Sequence, residues 1–301
     1  MAEITAALVK SLREKSGAGM MDAKKALVES DGDMEAAVDW LRSKGLSKAA
    51  KKSGRTAADG LVAALVSEDG KTGTLVELNA ETDFVARNQQ FQAALKGIAT
   101  AALETDGTVD ALKAAPAPEG EGSVDDMITR LIATVGENMA LRRTAQMKAD
   151  GAVASYIHNV EADGMGKVGV LVALNGEGDL ADVGRKVAMH VAATMPAAAT
   201  VSELDPTLVD REKSVLTEEA RASGKPDSVI EKMIEGRMRK YFKDVVLVEQ
   251  PFVMDPDKTV GGFLKDNGAE LVGFVRFALG EGIDKGEDDF AAEVAALSKG
   301  S

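Results

Sequence analysis

No cysteine occurs in the chain, which excludes a disulfide framework and a thiolate metal site and is consistent with a reducing compartment. Aromatic residues are scarce at 4%, with one Trp and two Tyr, so Ala, Val, Leu and Met must fill the interior. Such a core suits helices packed closely on small side chains. Positive charge is also short: 36 Lys and Arg face 49 Asp and Glu, and the net charge of −13 repels phosphate backbones. Nucleic acid is thereby set aside as the main ligand, and a protein partner is expected. No apolar run approaches the roughly 18 residues that span a bilayer. The start, Glu3 followed by a helical pattern from Ile4, has no signal-peptide core, so a soluble, cytoplasmic protein is expected. A length of 301 residues predicts two or three folded units.

Histidine is nearly absent too. His158 and His190 lack the context of a catalytic triad or a zinc helix, so neither an enzyme nor a metal site is expected. Gly70-Lys71-Thr72 resembles the end of a phosphate loop, but Leu65 stands where that motif needs its first Gly. Gly280-Glu281-Gly282 lacks the third Gly of a dinucleotide fingerprint, Lys285 being in its place. Asn79, Glu81 and Asp83 lack the Gly and the terminal Glu of a calcium loop. No cofactor is implied.

Ile4, Leu8 and Leu12 form an apolar stripe at helical spacing, interrupted at Gly17-Ala18-Gly19. A second helix, at about 22–30, carries Ala23, Ala26 and Leu27. Asp31-Gly32 then turns the chain, and Asp33 caps a third helix that buries Ala37, Trp40 and Leu41. A unit this small is marginal alone and suits partner binding. The following stretch, 43–60, carries Lys44, Lys48, Lys51, Lys52 and Arg55 against one acid, Asp59. It reads as a linker, either in electrostatic contact with an acidic partner or as a solvated helical connector.

Leu75-Val76-Glu77-Leu78-Asn79 returns 96 residues later as Leu171-Val172-Ala173-Leu174-Asn175. A β-like run precedes each copy, at 61–66 and 153–158, and each leads through Glu-x-Asp into a helix, at about 84–104 and 179–195. Two antiparallel strands and a helix, used twice, predict a duplicated α+β core. A flexible connection at 105–122 contains Pro116, Pro118, Gly120 and Gly122. A helix at 123–135, Gly136-Glu137-Asn138 and an apolar strand ending in Arg142-Arg143 follow. The region 205–242 reads as two helices joined at Gly224-Lys225-Pro226, a hairpin that serves either as a subunit contact or as plain packing. A strand at 270–279 rejoins the sheet, and Phe290, Val294 and Leu297 lie at helical spacing within 287–298. His190, in an Ala/Val/Met helix, is expected in the core. His158, at a strand end before a polar loop at 159–166, is expected at the surface facing a partner.

The most informative segment is Thr82-Asp83-Phe84-Val85-Ala86-Arg87-Asn88, which puts one of only eight Phe at a strand-to-helix junction. Phe84 there either plugs its own core or enters a partner's.

Taken together, several blocks resemble the bacterial elongation factor Ts family. They are Gly17-Ala18-Gly19-Met20-Met21-Asp22 with Lys24-Lys25-Ala26-Leu27, Ala57-Ala58-Asp59-Gly60, Thr82-Asp83-Phe84-Val85-Ala86, Gly136-Glu137-Asn138, Ala188-Met189-His190-Val191-Ala192-Ala193 and Gln250-Pro251-Phe252-Val253-Met254. The resemblance runs end to end and implies a ubiquitin-associated-like three-helix domain with its basic linker at 1–55 and core subdomains at 56–148 and 149–279. It also implies a helical hairpin inserted at about 203–243 and a C-terminal helical module at 280–301. It further implies a guanine-nucleotide exchange factor for elongation factor Tu. Thr82, Asp83, Phe84 and Val85 would then act beside the partner's magnesium site, with further contacts from Met20, Met21, Lys24, Gly136, His158, Val253 and Met254 and a possible homodimer through the hairpin. The resemblance implies that Asp83 caps the helix that begins beside it or meets a partner's dipoles. The alternative is a helical-hairpin adaptor that binds a protein without affecting nucleotide. The chain departs from the family pattern at 159–167, read as a longer loop, and in its Pro/Gly connection.

Overall fold

The computed structural model of the protein describes residues 4–284 apart from 17, 223 and 225. Three helices open the chain: α1 (Ala6–Ser16), α2 (Met20–Glu29) and α3 (Met34–Ala50). They close on Val9, Leu12, Ala23, Ala26, Leu27 and Ala37. Asp33 caps α3 as expected, its carboxylate accepting from the amides of Glu35 and Ala36 at 2.9 Å each. Trp40 and Leu41 are only partly buried.

α3 does not stop where the linker was expected. It runs through Lys48 to Ala50, because this stretch is rich in helix formers and its small residues can pack. Gly45 lies against Ala133, and Ala49 joins the apolar cluster of the following domain. Four of the five basic residues face groups of this same chain. Lys44 sits 5.4 Å from the Trp40 ring, Lys48 pairs with Asp22 at 3.0 Å, Lys52 donates to the Gly136 carbonyl, and Arg55 meets Glu81 at 3.4 Å.

Next come β1 (Asp59–Val66), β2 (Thr72–Ala80), α4 (Asp83–Ala86), α5 (Gln89–Ala102), α6 (Val109–Ala114), α7 (Val124–Val135) and β3 (Met139–Lys148). After them run β4 (Ala152–Ala162), β5 (Met165–Gly176), α8 (Leu180–Thr194), α9 (Pro206–Ala222) and α10 (Asp227–Val245). The described chain closes with β6 (Pro251–Phe252), β7 (Asp255–Thr259), α11 (Val260–Asp266) and β8 (Ala269–Ala278). The architecture is α+β with antiparallel strands. β2 lies between β1 and β3, and β5 lies between β4 and β8.

The repeat extends beyond residues 75–79. Lys71, Gly73, Leu75, Val76, Leu78 and Asn79 return as Lys167, Gly169, Leu171, Val172, Leu174 and Asn175. Each copy also breaks register at the same point, between Glu77 and Leu78 and between Ala173 and Leu174. The halves join where Val62 and Ala63 pair with Gly166 and Met165. That join makes one six-stranded sheet of β1 to β5 and β8, whose halves fold face to face, and the two matched glycines make that approach possible. A Cβ on Gly73 would lie 2.6 Å from Val153, and one on Gly169 would lie 2.7 Å from Val62.

Neighbouring residues of a strand therefore enter different cores. Leu75 and Leu171 meet between the halves of the sheet, with Val62, Val153, Ala173 and Phe277. Val76 and Leu78 turn to α5 and α7, against Phe91, Leu95, Ile98 and Ile132. Val170, Val172 and Leu174 turn to α8 and α11, against Val183, Val187, Val191 and Leu264. Burial on both faces explains why these strands read as continuous apolar runs.

Several expectations need correcting. The helix expected at 84–104 is two, because the Asn88 side chain accepts from the amides of Gln90 at 2.8 Å and Phe91 at 3.4 Å and starts α5 afresh. The polar loop expected at 159–166, and the longer loop read at 159–167, are a β-hairpin: β4 continues to Ala162 and turns at Gly164 (φ 69°) into β5. Polar side chains there reflect an exposed ladder end and not a loss of pairing. β3 continues past Arg143 to Lys148. α9 and α10 follow the expected hairpin, joined by Arg237 and Glu219 at 2.7 Å. The stripe of Phe290, Val294 and Leu297 lies outside the described residues.

Glu77 is a charged residue on the side of β2 that faces the other half of the sheet, and it is fully buried. Arg142 meets it at 3.1 Å, Arg143 donates to its second oxygen, and the Asn79 amide and the Gly280 backbone amide donate at 3.1 and 2.9 Å. Burial alone would raise its pKa; the Gly280 amide, Arg143 and Arg142 outweigh that and hold it below the usual carboxylate range. Removing one side of a buried ion pair costs about 3–5 kcal/mol. Urea denaturation of Glu77→Ala should show a loss of that order, whereas a change below about 1 kcal/mol would mean that water already compensates the site.

Candidate functional site

β2 delivers the chain to the junction at Glu81 and Thr82. α4 is a single turn, and Val85 (5% exposed) and Ala86 occupy its inward side, in the cluster that includes Phe91 and Leu95. With neighbouring helical residues about 100° apart, anchoring Val85 inward leaves Phe84 on the outside. Its ring is 78% exposed. Of the two uses open to Phe84, the structure displays it. Val85, grouped with Phe84 as a partner contact, is instead the anchor beneath it.

Asp83 is not the cap. Thr82 holds the N-cap position with extended backbone, and Asp83 is the first helical residue, half exposed and 3.6 Å from Arg87. Thr82 does not cap with its side chain either. Its backbone N–H donates to one oxygen of Glu137 at 3.0 Å, and its hydroxyl donates to the other at 2.8 Å. In return, Glu81 accepts from the backbone N–H of Asn138. Asn138 then donates from its side chain to the Arg55 carbonyl at 2.7 Å. Residues 81–82 and 137–138 thus hold each other by crossed carboxylates.

The remaining sequence-predicted residues lie on separate elements. Met20, Met21 (77% exposed) and Lys24 line the outer side of α2, whose inner side is Ala23, Ala26 and Leu27. Gly136 ends α7 in the left-handed region (φ 93°), and its carbonyl is taken by Lys52. His158 is exposed on β4, 3.3 Å from the Tyr156 hydroxyl. Val253 and Met254 are exposed at the tight turn between β6 and β7.

That turn rests on buried groups. Phe252 stacks on Phe263 with centroids 4.3 Å apart, and the amide of Val253 donates to His190 Nδ1 at 3.2 Å. His190 is fully buried, as expected for a core residue, and its Nε2 bonds Gln250 Oε1 at 2.8 Å. An amide donor at Nδ1 fixes the neutral tautomer with its proton on Nε2. Burial lowers the pKa of His190, and the Gln250 contact opposes it. Sequence reasoning missed this link to Val253, and it missed the crossed carboxylates, although Gly136-Glu137-Asn138 had stood out as a block.

Exposed apolar tips on turns anchored by buried neighbours make surfaces of the class suited to contact with other macromolecules. The comparisons give the particular family. The elongation factor TS family model matches residues 81–281. The chain is 71% identical over 301 residues to elongation factor Ts of Hyphomonas neptunium, covering 100% of both chains. It is 58% identical over 310 residues to that of Rhizobium rhizogenes, again covering 100% of both, and 57% identical over 310 residues to that of Caulobacter vibrioides, covering 99% of both. The chain belongs to the elongation factor Ts family.

The His190 geometry makes a pH prediction. Unfolded histidine protonates below about 6.5, while the folded imidazole resists it. Its contribution is therefore complete above that value and is lost as pH falls towards the lowered folded value. Between pH 7.5 and 5.5 the wild type should lose more stability in urea than His190→Gln does. Equal losses would show that His190 is not the group that titrates.

Proposed function

We propose that this chain is a guanine-nucleotide exchange factor that binds elongation factor Tu carrying GDP, promotes GDP release and so lets GTP load during translation elongation. The display of Phe84 on an anchored turn carries this reading. A tightly held guanine nucleotide is kept by its phosphates and the magnesium ion that bridges them, so moving the ion's surroundings weakens both holds. Phe84 enters beside that site as the wedge, and Asp83, half exposed next to it, addresses the partner's dipoles. Thr82 and Val85 hold the wedge from behind.

Binding elsewhere supplies the grip. The N-terminal helices act as a ubiquitin-associated-like module through Met20, Met21 and Lys24. Val253, Met254 and His158 contact a separate face, with Gly136 near the junction. The hairpin of α9 and α10 is the proposed homodimer contact, since Leu208, Val215 and Val229 are exposed along it. The chain acts in the cytoplasm, on a protein partner and not on nucleic acid.

Coupling between the two ligands is reciprocal: a factor that weakens nucleotide binding is itself displaced by nucleotide. Turnover then needs no chemical step. An adaptor that leaves nucleotide alone would not depend on an exposed ring at residue 84.

Release of fluorescent GDP from elongation factor Tu tests the reading with the wild type, Asp83→Ala and Phe84→Ala. Burial of a Phe ring is worth roughly 1.5–3 kcal/mol, so Phe84→Ala should slow stimulated release by about ten- to a hundredfold. Asp83→Ala should slow it less. If the wild type leaves release at its spontaneous rate, the exchange reading fails. If Phe84→Ala matches an active wild type, the site assignment fails instead.

A further inference from the structure

The duplication contains its own control for the Phe84 junction. Glu81-Thr82-Asp83-Phe84 recurs 96 residues later as Glu177-Gly178-Asp179-Leu180, at the same place after the matching strand. The outcome there is opposite. Asp179 caps α8, accepting from the amide of Asp182 at 3.1 Å, and Leu180 turns inward to 7% exposure. In the first copy Asp83 caps nothing, and the residue that matches Leu180 stands out in solvent.

The paired strands identify what differs. Ala80 pairs with Met139, and Gly176 pairs with Ala269, so Glu137 and Asn138 correspond to Asn267 and Gly268. In the second copy the Gly268 carbonyl accepts from the Glu177 amide at 3.2 Å, and Asn267 spends its side chain on the Phe263 carbonyl at 2.7 Å. Among the described residues, no carboxylate reaches forward to residue 178 in the way that Glu137 reaches Thr82.

We infer that Glu137 is the positioning residue of the exchange site, an inference that rests on the reading of Phe84 given above. By accepting both the N–H and the hydroxyl of Thr82, it holds residue 82 extended. α4 then begins one residue ahead of Phe84, with Val85 as the inward anchor. The crossed bond from Asn138 to Glu81 keeps the two segments in register. Lys52 on the Gly136 carbonyl and Arg55 on Glu81 tie the same clamp to the end of α3. Glu137 therefore sets the direction of the ring without touching the partner.

The test is a cycle of Glu137→Ala, Phe84→Ala and the double variant in fluorescent GDP release from elongation factor Tu, followed across factor concentration. Glu137→Ala should lower the maximal rate by about tenfold and leave the half-saturating concentration within about twofold, because the grip on other faces is intact. In the Phe84→Ala background it should lower the rate no further. Glu137→Gln, which retains one acceptor oxygen, should recover part of the loss. Thr82→Val, which keeps the backbone bond and loses the hydroxyl, should lie between wild type and Glu137→Ala, and it carries the same cycle if Glu137→Ala does not fold. An unchanged maximal rate, an equal further loss in the Phe84→Ala background, or a rise confined to the half-saturating concentration would overturn the inference. A normal rate for Phe84→Ala alone would show that the site reading, and not the clamp, had failed.

Discussion

A buried carboxylate crosses the centre of this molecule. Glu77 lies on the side of β2 that faces the other half of the sheet, where its counterpart in the second copy is Ala173. A charge in such a layer is sustained only with every oxygen engaged. Arg142 and Arg143 from β3 and the Gly280 amide after β8 provide those partners. The Arg143 guanidinium also lies 4.4 Å from the Phe277 ring and reaches the Ala278 carbonyl at 2.6 Å. One side chain thus fixes β2 against β3 and gathers the end of β8 onto the first half of the core. Five residues further along, the same strand delivers Thr82.

Three of the exposed tips have buried neighbours beneath them. Phe84 has Val85 and Ala86, Met20 and Met21 have Ala23 and Leu27, and Val253 has Phe252 and His190. Ordering a loop and its side chains at binding costs free energy, so a tip already fixed by its neighbours binds with less loss. An exchange factor benefits further, since its contact must disturb the partner instead of yielding to it. A mobile ring would adapt to the nucleotide-loaded state and give no difference between the two states for coupling to act on.

Much of the fold was legible in periodicity. The three opening helices, the repeat at 75 and 171, the hairpin near 205–242 and the last strand all follow from patterns within a short window. The errors arose where a local pattern meets a distant partner. Lysines after Ser43 resemble a solvated connector until Gly45 and Ala49 find α7 and the core. Polar residues after His158 resemble a loop although they complete a ladder. The site was legible as a residue type, an aromatic at a junction, but its orientation was not. Thr82 and Glu137 are 55 residues apart, and neither sits in a periodic pattern that ties it to the other.

The two copies of the repeat end in junctions of the same sequence pattern and opposite outcome. Both begin with Glu-x-Asp and an apolar residue after the same strand, and the ordinary outcome is the one at Asp179 and Leu180: the acid caps, the apolar side chain goes in, and a long helix follows. The outward first copy lacks that cap and that core contact, and other residues stand in for both. Glu137 supplies the first by taking both donors of Thr82, and Val85 supplies the second one residue later. Asn88 then restarts the helix that the single turn of α4 interrupted. These features fit together: Val85 takes a place in the cluster of Phe91 while Phe84 stands outside, and Glu137 engages the residue just before α4. Display of the ring is therefore a property of the whole junction, and the second copy, with none of the three, keeps its leucine inside.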